Sequence, residues 1–336
     1  MKFSLPYTSD IKEYLDGLSS ENLSQINDLY FSDPNFNPSA RYFPDVDIDK
    51  TWEELISIRE SHGVHMQYVM NSSVWKNDVY TTGKSQIIDN VNEIYNRGCT
   101  MLTINNMFLL RDVEFRKNIP EDLILKVSIN NKVSTLEEVE FLYRYSAVTH
   151  FILDRSVNRN LDEIKRIHNW RKDKNITLTL LGQEGCLTKC PWKSTCDNMI
   201  ATFADYDIHE VNDLKAHHSS HFCTVHYNNH PADQLKSPWI SPTAVGIYDE
   251  FVDYIKLAGR MNPISTLSKS IDGYLNRSGE VNISDVLTMS GETALSRCTV
   301  SDLEIHGFSS QVSNCRNRCS DCDFCDRLYV KINNEN

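Results

Sequence analysis

Short apolar runs alternate with segments whose apolar positions recur at helical spacing, almost from the first residue. The runs are Phe3 to Tyr7, Ile26 to Phe31, Val64 to Met70, Met101 to Ile104, Leu123 to Ser128, His150 to Leu153, Ile176 to Leu181 and Tyr254 to Leu257. A short run of this kind reads as a strand buried on both faces, and the amphipathic stretch after it as the helix that covers the sheet. Helical patterns occur in TWEELISIRESHG, SQIIDNVNEIYNRG, STLEEVEFLYRY and NLDEIKRIHNW. Gly63 and Gly98 close the first two as C-terminal caps, and Ser134 and Asn160 stand where N-caps belong.

Strand and helix in alternation, eight times, predict an α/β fold closed as a TIM-type (β/α)8 barrel; an open doubly wound sheet is the alternative. The barrel is assigned to residues 1-280, with a long Cys/His-rich loop at 182-235 after the seventh strand, and residues 281-336 to a small Cys-rich C-terminal extension. A chain of 336 residues suits one such barrel plus an appendage better than two full domains.

Barrel enzymes work at the C-terminal ends of their strands, so the residues after each run are candidates for a site. Here they are Tyr7, Asn71, Asn105, Asn130, Asp154, Arg155, Glu184, Lys256 and Arg260. Arg155 and Arg260 are suited to pairing with a carboxylate, Glu184 to accepting a proton, and Asp154 stands beside them as a further catalytic candidate. Asn71, Asn105, Asn130 and Lys256 are candidates for holding a cofactor or substrate. The plainer reading of the Asn and Asp positions is that they cap turns and helices through local hydrogen bonds. For Arg260 the plainer reading is a structural ion pair.

Composition narrows the picture. The formal net charge is -12, which argues against a general attraction to nucleic-acid phosphate. The densest basic stretch, Lys165 to Lys174, reads as a solvated helix face. The N-terminus has no apolar signal region and no run is long enough to span a bilayer, so a cytoplasmic location is expected. Ten cysteines in a reducing compartment then point away from structural disulfides and toward metal or redox chemistry. No Walker loop, G-x-G-x-x-G fingerprint or G-x-S-x-G elbow is present.

Eight of the cysteines form two groups. Cys186, Cys190, Cys196 and Cys223 are separated by three, five and twenty-six residues, and the first three follow the seventh run directly. Four thiolates suit zinc or an iron–sulfur centre; irregular spacing at a barrel mouth favours iron–sulfur over the paired C-x-x-C knuckles of structural zinc. Cys315, Cys319, Cys322 and Cys325 are spaced by three, two and two residues. Their first three match the C-x-x-x-C-x-x-C triad of radical S-adenosylmethionine enzymes, but the C-terminal position and Asp321 before Cys322 count against that class. A second cluster, or a zinc that pins the tail, is expected there, with Cys298 an extra candidate ligand. Cys99, beside Gly98, reads as a small core residue. His209, His217, His218, His221, His226 and His230 lie in the long loop without metal-binding helical spacing and read mostly as surface residues.

The segments HMQYVMNSS, TINN, KVSINNKVSTLEEVEFL, HFILDRSVNRNLDEIKRI, LLGQEGCLTKCPW and KSPWISPTAVGIYDEFVDYIKLAGR, with the cysteine-rich tail, resemble the collagenase-like peptidases, number thirty-two among peptidases of unknown catalytic type. The resemblance spans most of the chain. It implies a barrel and a [4Fe-4S] cluster on Cys186, Cys190, Cys196 and Cys223. The family includes oxygen-independent hydroxylases of RNA or of a small aromatic metabolite, some using prephenate, so the resemblance implies a redox modification enzyme. A peptidase is the first alternative, and a non-catalytic iron–sulfur partner or electron-transfer subunit the second. Pairing with a related subunit is a further implication. This chain departs from those relatives in its cysteine spacing and in the added tail cysteines.

Overall fold

A computed structural model describes residues 1–33, 35–36, 47–75, 81–146, 148–203, 219–260, 262–287 and 294–335. Its centre is a closed barrel of eight strands in chain order: β1 (Lys2–Pro6), β2 (Ile26–Phe31), β3 (His65–Met70), β4 (Cys99–Ile104), β5 (Ile124–Val127), β6 (His150–Ile152), β7 (Thr177–Leu181) and β8 (Tyr254–Lys256). Every neighbouring pair is parallel. β8 closes the ring on β1 with Phe3 opposite Ile255, which removes the open-sheet alternative. All eight predicted strands are present. Continuous apolar runs form such strands because helices shield one face and the barrel interior the other; in β2 all six residues are buried.

The helices between strands bury one stripe each. In the helix Ile48–His62, Thr51, Trp52, Leu55 and Ile58 are buried, the spacing that places side chains on one face. The Asp47 side chain accepts from the Lys50 N–H at its start, and Gly63 ends it at φ 68°, a left-handed conformation that costs glycine little. Asn160 caps the helix Leu161–Arg171 as expected. The cap of Leu136–Ser146 is one residue later than expected: Thr135 Oγ1 accepts from Glu138 N at 3.3 Å, while Glu138 Oε2 reaches back to the N–H groups of both Ser134 and Thr135. After Asn96 the C-cap is Arg97, and Gly98 follows it at φ 102°.

Between β7 and β8 the chain makes its long excursion through the helices Lys193–Phe203, Ser219–Asn229 and Asp233–Lys236 and a 3-10 turn at Pro242–Ile247. After β8, the helix Ile264–Leu275 packs Leu267, Ile271 and Tyr274 inward. The segments Ile283–Val286, Val300–Glu304, Phe308–Val312 and Phe324–Glu335 share one buried apolar core with the barrel. Phe308 stacks on Trp239 of the excursion at 5.2 Å between ring centres. Cys99 and Cys298 are fully buried in that core. Among the described residues, no helix is long and apolar enough to cross a membrane.

Candidate functional site

The end of β7 is held from several sides by the returning excursion. Gly182 donates to the Lys256 carbonyl and accepts from Ile240 N, both at 2.8 Å, which seats the returning segment against the strand end. A side chain at 182 would not fit: a Cβ there would lie 2.7 Å from Ile255 Cγ2 and 3.2 Å from Leu257 Cδ2. Asn158 donates to the carbonyls of Leu181 and Pro238. Tyr227 donates to Gly185 O at 2.7 Å, and Ser237 Oγ sits against the carbonyls of Glu184 and Cys186 at 2.8 and 2.9 Å. The backbone that carries the first cysteine is therefore fixed by the chain that brings back the fourth.

Two of the expected charges meet here. Arg155, after β6, stands with Nε 2.8 Å from Glu184 Oε2, after β7, off the line of a hydrogen bond, so charge holds the pair. Glu184 Oε1 accepts from Cys186 N at 2.8 Å. Burial works against the charged carboxyl, but Arg155 and the Cys186 N–H outweigh it and hold Glu184 below its ordinary range. Glu184 and Arg155, both candidates from the sequence, therefore meet as one ion pair at the barrel mouth. Asp154 serves as the cap of the turn Arg155–Arg159, accepting from Ser156 N and Oγ.

Cys186 is part-buried beside Glu184, Lys193 and Arg155, and burial followed by the Glu184 charge pushes its thiol well up. Burial raises Cys223 too, and the next contributions come from Cys190 and Cys196, which places these three thiols within electrostatic reach of one another. Tyr227 lies within reach of both Cys186 and Cys223. In the tail, Cys325 is pushed up to about 11 by burial, with Arg159, Cys319 and Cys315 as its charged neighbours. Cys319 and Cys322 are exposed. A cavity of ≈ 660 Å³ lies between the two groups, with Cys190, Trp192 and Lys189 on one wall and Asn317, Cys319 and Ser320 on the other. Among the described residues, no three His, Cys, Asp or Glu side chains converge on a point that would hold a single ion. Asp302 is an electrostatic neighbour of Cys298.

The other strand-end candidates are placed apart from the thiols. Asn105 Nδ2 donates to Ser72 O and Asn130 Nδ2 to Asn71 O, each at 2.9 Å, so they tie neighbouring loops together. Tyr7 donates to Glu54 at 2.9 Å. Arg260 reaches Ser32 Oγ at 3.2 Å and overlies Tyr30, a different set of partners from that of Arg155. Lys256 Nζ lies 3.5 Å from the centre of the Tyr30 ring; burial, then Arg260, holds its amine well below the ordinary lysine range. Of the loop histidines, His226 pairs with Asp233 at 2.7 Å and its ring lies 4.8 Å from that of His230. His209, His217, His218 and the His221 side chain lie outside the described residues.

Sequence reasoning missed the polar interior of the barrel. Ser4 Oγ donates to Asp28 at 2.6 Å, Lys126 Nζ donates to Gln67 Oε1 at 2.5 Å, and Lys126 stands 3.6 Å from Asp28, all buried. The available signal was a polar residue inside each apolar run: Asp28 in INDLYF, Gln67 in HMQYVM and Lys126 in ILKV. His150, at the start of β6, is lowered to about 4 by burial and by Lys126.

With this geometry in view, comparison with known proteins places the chain. An uncharacterized protease of Methanocaldococcus jannaschii is 25% identical over 277 residues, 82% of this chain and 79% of that protein. Among solved structures, a U32 peptidase superposes with a TM-score of 0.52 at 14% identity, covering 78% of this chain and 95% of the other. No family profile matches. The resemblance to the U32 collagenase-like peptidases is thus borne out, and the solved neighbour has the same barrel fold. Of the expected activities, peptidase is the one that these names carry.

Proposed function

We propose that the chain is an enzyme whose reaction centre lies at the β6–β7 mouth, with Cys186, Cys190, Cys196 and Cys223 as ligands of a [4Fe-4S] cluster. In this reading it is an oxygen-independent hydroxylase, or a related redox modification enzyme, acting on RNA or a small aromatic metabolite. The observation that carries the reading is the gathering of Cys190, Cys196 and Cys223 on the loop that also fixes Cys186 beside a buried ion pair. Four thiols suit a cluster because each thiolate binds a different iron, so the sulfurs need not converge on one point as the ligands of a single ion must. With a thiolate on each of its four irons, such a cluster would supply electron transfer.

The chain's own residues have distinct tasks in this site. Ser237 and Tyr227 fix the carbonyls around Cys186. Arg155 and Glu184 set a balanced charge beside the thiols, with Glu184 in hydrogen-bonding reach of the Cys186 side chain. Trp192, more than half exposed at the cavity wall, offers a face on which an aromatic ring or a base could stack. Prephenate use and pairing with a related subunit belong to the same proposal, through the family resemblance.

A peptidase is the second reading, favoured by the names of both relatives. Anaerobic purification separates the two. The first reading expects a brown protein with about four irons and four sulfides at this site, lost in Cys186→Ser, and a substrate pool that gains one oxygen only when the gene is present. Iron-free protein that cleaves peptides, with Cys186→Ser as active as the parent, would overturn it in favour of the second.

A further inference from the structure

Among the described residues Arg159 is the largest buried cation, 2% exposed, and no carboxylate stands within ion-pair distance of it. Its guanidinium donates to the carbonyls of Leu235 and Ser237 and lies over the Phe308 ring, contacts that satisfy hydrogen bonds but supply no negative charge. Its Nε has no hydrogen-bond partner. A buried charge without a counter-charge is costly, and folded proteins place one only where something balances it.

What faces Arg159 is the tail cysteine loop. Cys319 and Cys325 both have Arg159 among their charged neighbours, and Cys315 is a neighbour of each. Arg316 N donates to the Arg159 carbonyl at 2.7 Å, and Asn317 Nδ2 donates to Ser156 O at 3.0 Å, which fastens the loop over the turn that carries the arginine. Asn317, 5% exposed between Cys315 and Cys319, keeps a buried side-chain oxygen without a partner. Lys236 and Lys189 complete a positive surround for Cys319. Two buried polar groups with unmet bonding capacity therefore border Cys315, Cys319 and Cys325 in a basic setting, with Cys322 on the same loop.

We infer that Cys315, Cys319, Cys322 and Cys325 hold a second metal centre, a thiolate-ligated core of net negative charge, whose counter-ion is Arg159. Four thiolates around one zinc ion or around a [4Fe-4S] core both leave an excess of negative charge, and that excess is what the buried guanidinium neutralises. The metal displaces the four thiol protons on binding, so loading is coupled to proton release and to fixing the tail against the β6 turn. The inference stands independently of the centre proposed at the mouth.

The test uses the full-length chain, purified anaerobically, with metal and sulfide counted per chain. Three proteins are compared: the parent, a mouth variant (Cys190→Ser with Cys196→Ser) and a tail variant (Cys319→Ser with Cys322→Ser). The tail substitutions fall on exposed residues, and a thermal melt confirms that the barrel is intact. The tail variant is expected to lose one centre's worth of metal that the mouth variant keeps, and trypsin should cut its tail at least about tenfold faster. Zinc without sulfide identifies a single ion; iron with matching sulfide identifies a cluster. Arg159→Lys should keep the metal, while Arg159→Met should retain it roughly 10–100-fold less tightly. Equal metal content and equal tail protection in the parent and the tail variant would overturn the inference, whatever the mouth variant does. A mouth variant that loses nothing would overturn only the mouth centre.

Discussion

Cys190 and Cys319, one from each cysteine group, line the same cavity, but the two groups sit in opposite electrostatic settings. At the mouth, the part-buried cation Arg155 already has its carboxylate, the buried Glu184, and the thiols lie beside a balanced pair. In the tail, the buried cation Arg159 has none among the described residues, and Cys319 and Cys325 are among its neighbours. The first group is anchored by side chains of the barrel and the excursion; the second has two exposed thiols and leans on the barrel through Arg316, Asn317 and Lys236. The difference teaches that a thiol set is specified by its counter-charge as much as by its spacing. Charge balance at the mouth is set by a carboxylate, whereas the inference for the tail assigns it to thiolates that a bound metal would deprotonate.

The largest effect that would sharpen this contrast is expected from Arg155→Met. It strands Glu184 as a buried unpaired carboxylate and should cost about 3–5 kcal/mol in urea unfolding. A cost no greater than that of an exposed ion pair would break the contrast. Gly182→Ala comes next, because its Cβ would press on Ile255, Leu257 and Tyr274; a loss of about 1–3 kcal/mol is expected, with the mouth disturbed before the tail.

The pH dependence of stability follows from Glu184. Its folded-state pKa is depressed, so its contribution is fully present above the unfolded value of about 4.3 and is lost as pH falls through the lower folded value. Thermal melts across that acid window should show a steeper decline for the parent than for Glu184→Gln; parallel declines would remove the ion pair from the account. The smallest effect is expected from Asp326→Asn, which frees Lys236 from the half-exposed Asp326. It should cost about 0–1 kcal/mol globally and show mainly as faster hydrogen exchange in Phe324–Glu335.

Much of the scaffold was legible in the sequence. A parallel strand buried on both faces must be written as an apolar run, and each of the eight runs became a strand. Chain order alone then implied the ring, whose closure rests on the β1–β8 register. Caps were legible to within a residue: Asn160 was placed correctly, while Ser134 and Thr135 offer the same chemistry and only the position of Glu138 separates them. The site was legible as a set of residue types and not as a set of partners. Arg155 and Glu184 were both visible, but their pairing depends on β6 and β7 lying side by side, a long-range fact that local pattern does not carry. Asp28, Gln67 and Lys126 escaped for the same reason: each looks like an interruption in an apolar run until the barrel brings them together. Arg159 was not singled out by local pattern, and its isolation shows only once burial is known.

The hydrogen bonds at the base of the excursion carry a last consequence. Thr188 Oγ1 donates to the Lys236 carbonyl, and Ile240 closes back on Gly182, so the chain leaves the barrel and re-enters it at nearly the same place. A stretch whose two ends are clasped behaves as an exchangeable cassette, because closing a longer or shorter loop between fixed ends changes the free energy only slowly with length. Cys190, Cys196 and Cys223 ride on that cassette, whereas Cys186, Glu184 and Arg155 belong to the socket that receives it. Descendants of such a chain can therefore revise their chemistry by rewriting the insert, with the socket and the eight strands beneath it left as they are.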